Sequence, residues 1–226
     1  SKAQKEFINV AAHELRTPIQ PILGLSQLLL SKSGDIEQYN ELLSIINRNA
    51  KRLNRLSDDI LDATKIESKS LELKREWFDL NDIIINAMDD MILSKDLVNK
   101  NVQLLYQPQV IELQADKGRI SQVISNLISN AVKFTKIGTV TITTEINQDK
   151  NVILVSVKDT GTGIDPEILP DLFTKFRTKS SSGAGLGLFI SKNIIEAHGG
   201  NIWAETNSIG NGATFTFVLP LNPKIK

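Results

Sequence analysis

Phe7-Ile8-Asn9-Val10-Ala11-Ala12-His13-Glu14-Leu15-Arg16-Thr17-Pro18 decides how the first third of the chain folds. Ile8, Ala12 and Leu15 start a seam that continues as Ile19, Ile22, Ser26 and Leu29, at alternating spacings of four and three. Leu42, Ile46, Asn49, Leu53, Leu56, Ile60 and Ala63 repeat the pattern. Such heptad-like seams belong to helix bundles and coiled coils. Ser33-Gly34-Asp35 reads as the turn between two antiparallel helices. Asn49 interrupts the second seam in the manner of a register-setting polar residue. Pro18 and Pro21 lie inside the first helix, where each removes an amide donor and crowds the preceding turn. A bend is expected there, with the carbonyls of Glu14 and Thr17 freed.

One hairpin offers too little surface to cover both seams. Two hairpins joined as a four-helix bundle resolve this, so the pattern predicts a homodimer through the N-terminal helices. The competing arrangement packs the seams against the chain's own second half.

Bulk composition narrows the function. The chain has 226 residues, 41% of them hydrophobic, enough for two modest domains. Lys+Arg and Asp+Glu both number 26, so there is no basic excess to attract nucleic acid or an anionic membrane. No nucleic-acid partner is expected. The absence of cysteine excludes disulfides, thiolate zinc sites, iron–sulfur clusters and a cysteine nucleophile. It fits a reducing cytoplasm. The longest uncharged run, 17–31, is shorter than the roughly 20 apolar residues that span a bilayer. No signal-peptide pattern opens the chain, and its start inside a helical pattern suggests an excised fragment.

Beyond about Leu71 the periodicity changes. A strand at 72–78 precedes a helix opened by Asp79, and strands follow at 102–106 and 110–114. A helix is predicted over 117–134. Strands at 139–145 and 151–158 flank a polar turn at 147–150. A glycine-rich loop leads into a helix over 186–197, and strands at 201–206 and 213–219 close a hairpin. This reads as an α+β sandwich, one mixed sheet under a layer of helices. The expected division is 1–66 for the helical hairpin, 67–71 for a linker and 72–226 for the second domain.

Several segments carry chemistry. His13 has a carboxylate beside it and a hydroxyl four residues on, which suits a phosphoryl acceptor if the chain also holds a nucleoside triphosphate. On the helix over 119–134, Asn126, Asn130 and Lys133 share a narrow arc because steps of four and three stack. Amide oxygens can complete the shell of a Mg²⁺ otherwise held by phosphates and water, and the lysine can offset phosphate charge. A solvated polar face gives the same pattern. Asp159-Thr160-Gly161-Thr162-Gly163-Ile164 ends an apolar strand; its carboxylate can accept from an exocyclic amine, and glycines admit close approach. It also reads as a plain Asp-Gly loop. Gly183-Ala184-Gly185-Leu186-Gly187-Leu188 opens a helix, where exposed backbone N–H groups favour phosphate. It lacks both the dinucleotide-fold context and the Lys-Ser/Thr ending of a P-loop. The polar, serine-rich stretch 175–182 between these glycine clusters reads as a lid.

Taken in order, the His13 segment, Asn126-Leu-Ile-Ser-Asn130-Ala-Val-Lys133-Phe134-Thr135, Asp159-Thr-Gly161-Thr-Gly163, Phe173-Thr-Lys-Phe176 and Gly183-Ala-Gly185-Leu-Gly187-Leu resemble the sensor histidine kinases of two-component signalling. Each block is weak alone, whereas five in the family's order are specific. The resemblance implies a dimerisation and phosphotransfer hairpin followed by an ATP-binding domain of the gyrase-type fold. It implies autophosphorylation of His13, transfer to an aspartate of a response regulator, and phosphatase activity toward that regulator. Glu14 resembles the acidic partner that orients the ring and takes its proton. Thr17 resembles the residue that positions water for the reverse step, and Arg16 with the proline bend resembles a docking feature. Asn126 and Asn130 correspond to the magnesium-site asparagines, Asn130 as direct ligand. Lys133 corresponds to a phosphate contact and Phe134 to a neighbour of the adenine. Asp159 corresponds to the adenine-reading carboxylate, with Gly161, Gly163 and Ile164 around it. Gly183, Gly185, Leu186 and Gly187 correspond to the lid-closing segment, and Arg177 to a γ-phosphate contact. The cofactors implied are ATP and Mg²⁺.

Ala12 stands where many relatives carry serine, and Pro21 adds a second bend. The family setting also implies an upstream sensor domain outside this sequence and a cytoplasmic location, as a soluble protein or as part of a membrane-bound sensor. His198 reads as structural, a cation near a helix C-terminus. Two other classes fit parts of the pattern: a gyrase- or chaperone-like ATPase in which His13 is incidental, and a dimerising scaffold with a dead nucleotide site.

Overall fold

The computed structural model describes residues 2–31, 36–94, 97, 100–176, 185–207 and 212–221. The chain divides into two compact units, Ser1–Leu71 with Lys175–Leu186, and Glu72–Thr174 with Gly187–Lys226. The turn expected at Ser33–Asp35 lies outside the described residues.

In the first unit, α1 (Lys2–Ser31) and α2 (Ile36–Glu67) pack along each other. α1 remains one helix through Pro18 and Pro21. On α2 the predicted seam turns inward, with Leu56 and Ala63 buried. Asn49 donates its amide to the carbonyl of Ile45 in its own helix, 2.9 Å away. On α1 the buried stripe differs from the expected one. Ala11 and Pro18 are buried, with Glu14 and Leu25 half-buried beside them, whereas Ile8, Ala12, Ile19 and Leu23 are exposed. The apolar arc of α1 is wider than one helix can cover. α2 takes one flank of it and leaves the other open.

The second unit holds two sheets rather than the single sheet expected. β1 (Arg75–Asp79) pairs antiparallel with β3 (Glu112–Asp116) as a separate ribbon, Phe78 opposite Leu113. The main sheet has the order β2-β4-β5-β7-β6, built from Asn101–Tyr106, Ile137–Asn147, Val152–Asp159, Ala213–Pro220 and Asn201–Thr206 respectively. β2 runs parallel to β4 and the remaining pairs are antiparallel. Period-two alternation puts Ile153, Val155 and Val157 on the covered face of β5, with Phe215, Phe217 and Leu219 doing the same on β7.

Two helices pack on that face, α4 (Lys117–Phe134) and α5 (Gly187–Ala197), and α3 (Leu80–Leu93) packs against α4. Asp79 caps α3, its Oδ1 accepting from Asn81 N and Ile111 N at 3.0 and 2.9 Å. α4 buries Ile120, Val123, Ile124, Leu127, Ile128 and Ala131, the positions spaced by three and four. Each fully buried Leu or Ile contributes about 1.5–3 kcal/mol of transfer free energy, so this face fixes which way α4 presents its polar flank. A short 3₁₀ turn at Leu169–Asp171, absent from the sequence reading, follows the Asp159 loop.

Candidate active site

The polar flank of α4 carries Asn126, Asn130 and Lys133, all half-buried. Asn126 Nδ2 donates to Ser191 Oγ on α5 at 3.0 Å, and Ser191 is itself buried. A Cβ added at Gly187 would lie 2.4 Å from Asn126 Oδ1, so only glycine lets the first turn of α5 close on this amide. Lys133 places its ammonium 5.3 Å from the ring centroid of Phe134, an exposed cation–π pair. The C-terminal carbonyls of α4 are occupied. Lys100 Nζ donates to Val132 O and Lys133 O at 2.6 and 3.0 Å, and Thr135 donates its N–H and hydroxyl to Ala131 O at 3.1 and 2.8 Å.

Asp159 ends β5 and is buried. Its Oδ1 accepts from Gly161 N at 2.8 Å and from Ala213 N at 3.2 Å, while Oδ2 takes no bond from the described residues. Burial pushes this carboxyl above the ordinary aspartate value, and the two N–H bonds act against that rise. The loop then turns back on α4: Thr162 N donates to Phe134 O at 3.3 Å, and a Cβ at Gly161 would lie 2.3 Å from the same oxygen. Gly163 follows at φ 74°, with Ile164 half-buried after it. The second unit thus brings together Asn126, Asn130, Lys133 and Phe134 on one helix, the Asp159–Ile164 loop against that helix's end, and Gly187 against its flank. An open acceptor oxygen on a buried aspartate, a glycine-lined approach and a half-buried amide stripe fit an adenine nucleotide.

In the first unit, His13 projects from α1 with its side chain 77% exposed. Its Nδ1 lies 3.8 Å from Glu14 Oε1. Thr17 shares the face, and its hydroxyl donates to the carbonyl of His13 at 3.1 Å. Gly185 sits at φ 65° and accepts from Phe176 N at 3.0 Å, and Leu186 is buried. Arg177 and Gly183 lie outside the described residues.

Two family descriptions match the chain in this order. Residues 3–69 match the His Kinase A (phospho-acceptor) domain, and residues 115–223 match the histidine kinase-, DNA gyrase B- and HSP90-like ATPase. The chain is 32% identical to the autoinducer 2 sensor kinase/phosphatase LuxQ of Vibrio parahaemolyticus, over 99% of its own length and 27% of that protein. It is 31% identical to the sensor histidine kinase WalK of Bacillus subtilis, over 96% of its length and 36% of the relative. Among solved structures, the catalytic domain of the histidine kinase ThkA matches at 32% identity and TM-score 0.58, covering 68% of this chain and 99% of that one. ThkA in complex with the response regulator protein TrrA matches at 30% identity and TM-score 0.68, covering 98% of this chain and 63% of that one. The chain belongs to the sensor histidine kinases of two-component systems.

This histidine kinase spans between about a quarter and a half of the length of the curated relatives it matches. No helix among its described residues is long and apolar enough to cross a membrane. Several residues around Asp159 and the polar flank of α4 escaped the sequence reading. Ser191 had a legible signal, a polar position on the apolar face of α5. The Ala213 N–H had none, because a backbone donor 54 residues from Asp159 leaves no mark in composition. His198 needs a correction. It is buried, Nδ1 bonding Ile194 O at 2.7 Å and Nε2 accepting from Asp116 N at 3.0 Å. Burial lowers its pKa below the ordinary histidine value. With Nε2 as acceptor, Nδ1 carries the proton and the ring is neutral, so it serves as a hydrogen-bonded clasp rather than as a helix-terminal cation.

Proposed function

We propose that this chain autophosphorylates His13 from ATP, passes the phosphoryl group to an aspartate on a response-regulator receiver domain, and dephosphorylates that regulator. What carries the reading is the Asp159–Gly161 cradle against the end of α4, in the same chain as the exposed His13 with Glu14 beside it. His13 Nε2 attacks the γ-phosphorus, the bond to the β-bridging oxygen breaks, and ADP leaves with that electron pair. Glu14 faces Nδ1 and takes the proton that the phosphorylated ring sheds. Asp159 accepts from the exocyclic amine of adenine. Phe134, Gly161, Gly163 and Ile164 surround the base, and Asn126, Lys133 and Gly187 lie toward the phosphates; the sequence resemblance assigns phosphate contacts to Arg177, Gly183, Gly185 and Leu186 as well.

Among the described residues, no group of three or more His, Cys, Asp or Glu could hold a metal. A Mg²⁺ in this site would be held by the Asn130 amide oxygen together with phosphate and water oxygens, where it would neutralise phosphate charge. Thr17 would position water for regulator dephosphorylation, its hydroxyl leaving the His13 carbonyl. LuxQ is named a kinase/phosphatase and ThkA was solved with a response regulator, which supports both halves of the cycle. We also propose the division into a phosphotransfer hairpin (1–66), a linker (67–71) and an ATP-binding domain (72–226), and a cytoplasmic location. The exposed stripe Ile8, Ala12, Ile19 and Leu23 supports pairing of two hairpins into a four-helix homodimer.

Incubation with Mg²⁺ and γ-labelled ATP tests the reading. Acid-labile, alkali-stable label is expected on the parent chain, with none on His13→Ala. Label persisting in that variant would overturn it.

A further inference from the structure

Glu14 lies between two groups. Its Oε1 is 3.8 Å from His13 Nδ1 on the same helix, and its Oε2 is 3.7 Å from Arg52 Nη2 on α2. Glu14 is 19% exposed, which contrasts with the 77% of the histidine it faces. Arg52 Nη2 is itself buried and has no hydrogen-bond partner among the described residues. A buried guanidinium nitrogen is unfavourable unless a counter-charge offsets it, and the Glu14 carboxylate stands in that place.

Adjacent helix residues do not naturally face each other, so the carboxylate of Glu14 must turn along the helix surface to reach the imidazole. Among the described residues of α1, His13 is the only ionisable partner of the Glu14 carboxylate. Arg52 fixes the turn from the other helix: with one oxygen drawn toward the guanidinium, the second is directed at Nδ1. The ring then presents Nε2 outward.

We propose that Arg52 is a positioning residue for His13 phosphorylation, acting through Glu14. This rests on the reading of His13 as phosphoryl acceptor. Arg52 faces Glu14 rather than the imidazole. It sets the orientation of the carboxylate that faces the ring, so the rate at which His13 accepts phosphate depends on how α2 sits against α1.

The test compares the full chain with Arg52→Met, Arg52→Lys and Glu14→Gln, following label from γ-labelled ATP on His13. Arg52→Met is expected to lower kcat about tenfold and leave KM for ATP unchanged, because the nucleotide contacts are untouched. Arg52→Lys should recover part of the loss, since an ammonium restores the charge. Arg52→Met combined with Glu14→Gln should be no slower than Glu14→Gln alone, since the arginine acts through that carboxylate. A change in KM matching that in kcat, additive losses in the double variant, or an unchanged kcat in Arg52→Met would each overturn the proposal while leaving the acceptor reading standing. Absence of label on the parent chain would instead remove that reading, and the proposal with it.

Discussion

Burial, reinforced by the neighbouring charges of Asp62 and Asp58 and only partly countered by Arg55, pushes the Asp59 carboxyl up from 3.8 to about 6. A carboxyl raised on folding makes the folded state bind protons more tightly, so stability falls as pH rises from about 4 to about 6 and stays lower above that window. The difference corresponds to about 3 kcal/mol. Asp59→Asn removes the titration, so it should stabilise the helical unit by about 2–3 kcal/mol at pH 7 and by little at pH 4. Denaturant unfolding followed by far-ultraviolet circular dichroism at the two pH values measures this; an equal gain at both would mean that charge is not the cause. At this scale the sequence was informative about residue types and silent about environment. Asp159 stood out as a carboxylate at a strand end, but the Ala213 N–H that helps fix it comes from β7. Nothing in the sequence marks Arg52, because its partner Glu14 lies on the other helix.

Elements were legible where one face is buried along their whole length. α4 spans Lys117–Phe134 as expected, because its apolar positions recur at three and four without a gap. β6 and the start of β7 also fall where alternation put them. Pairing partners were harder to read. Nothing local in Glu112–Asp116 distinguishes an edge of the main sheet from a partner for β1, and the ribbon forms because Phe78 and Leu113 meet across it. The stripe that α1 buries was misplaced because a wide apolar arc fits two phases. The clasp between the C-terminus of α5 and the N-cap of α4 was likewise hidden, since His198 and Asp116 are 82 residues apart. Burial raises the Asp116 carboxyl, but the N–H bonds of Lys74 and Arg119 outweigh it, and the net effect holds it below the ordinary value. His198→Phe leaves the Asp116 N–H without its acceptor, so about 1–3 kcal/mol of the second unit's stability should be lost at pH 7.5. A histidine whose pKa is lowered on folding contributes stability at high pH and loses it as pH falls below about 6.5. The gap between variant and parent should therefore narrow toward pH 5. Tryptophan fluorescence reports it, because both tryptophans, Trp77 and Trp203, lie in the second unit.

For the whole molecule, the two units draw on different sources of stability. The second encloses its own core between sheet and helices. The first leaves Ile8, Ile19, Leu23, Leu43 and Leu61 exposed, surface that a second copy would cover. The melting temperature of the helical unit should therefore rise with protein concentration, as mass action requires of an associating species. That of the second unit, read by fluorescence, should not. Sedimentation at micromolar concentration should give a dimer; a monomer together with concentration-independent melting would remove the four-helix arrangement. In the proposed dimer the twofold interface would be self-complementary, so every substitution within the exposed stripe of α1 would enter the bundle twice. In such a dimer, chains bearing different defects would also combine. A hybrid of one His13→Ala chain and one Asp159→Ala chain holds a single intact acceptor and a single intact nucleotide site, on opposite chains. Label on such a hybrid reports phosphate crossing from one protomer to the other, and its absence reports a reaction kept within each, so the stripe makes genetic complementation a readout of the route.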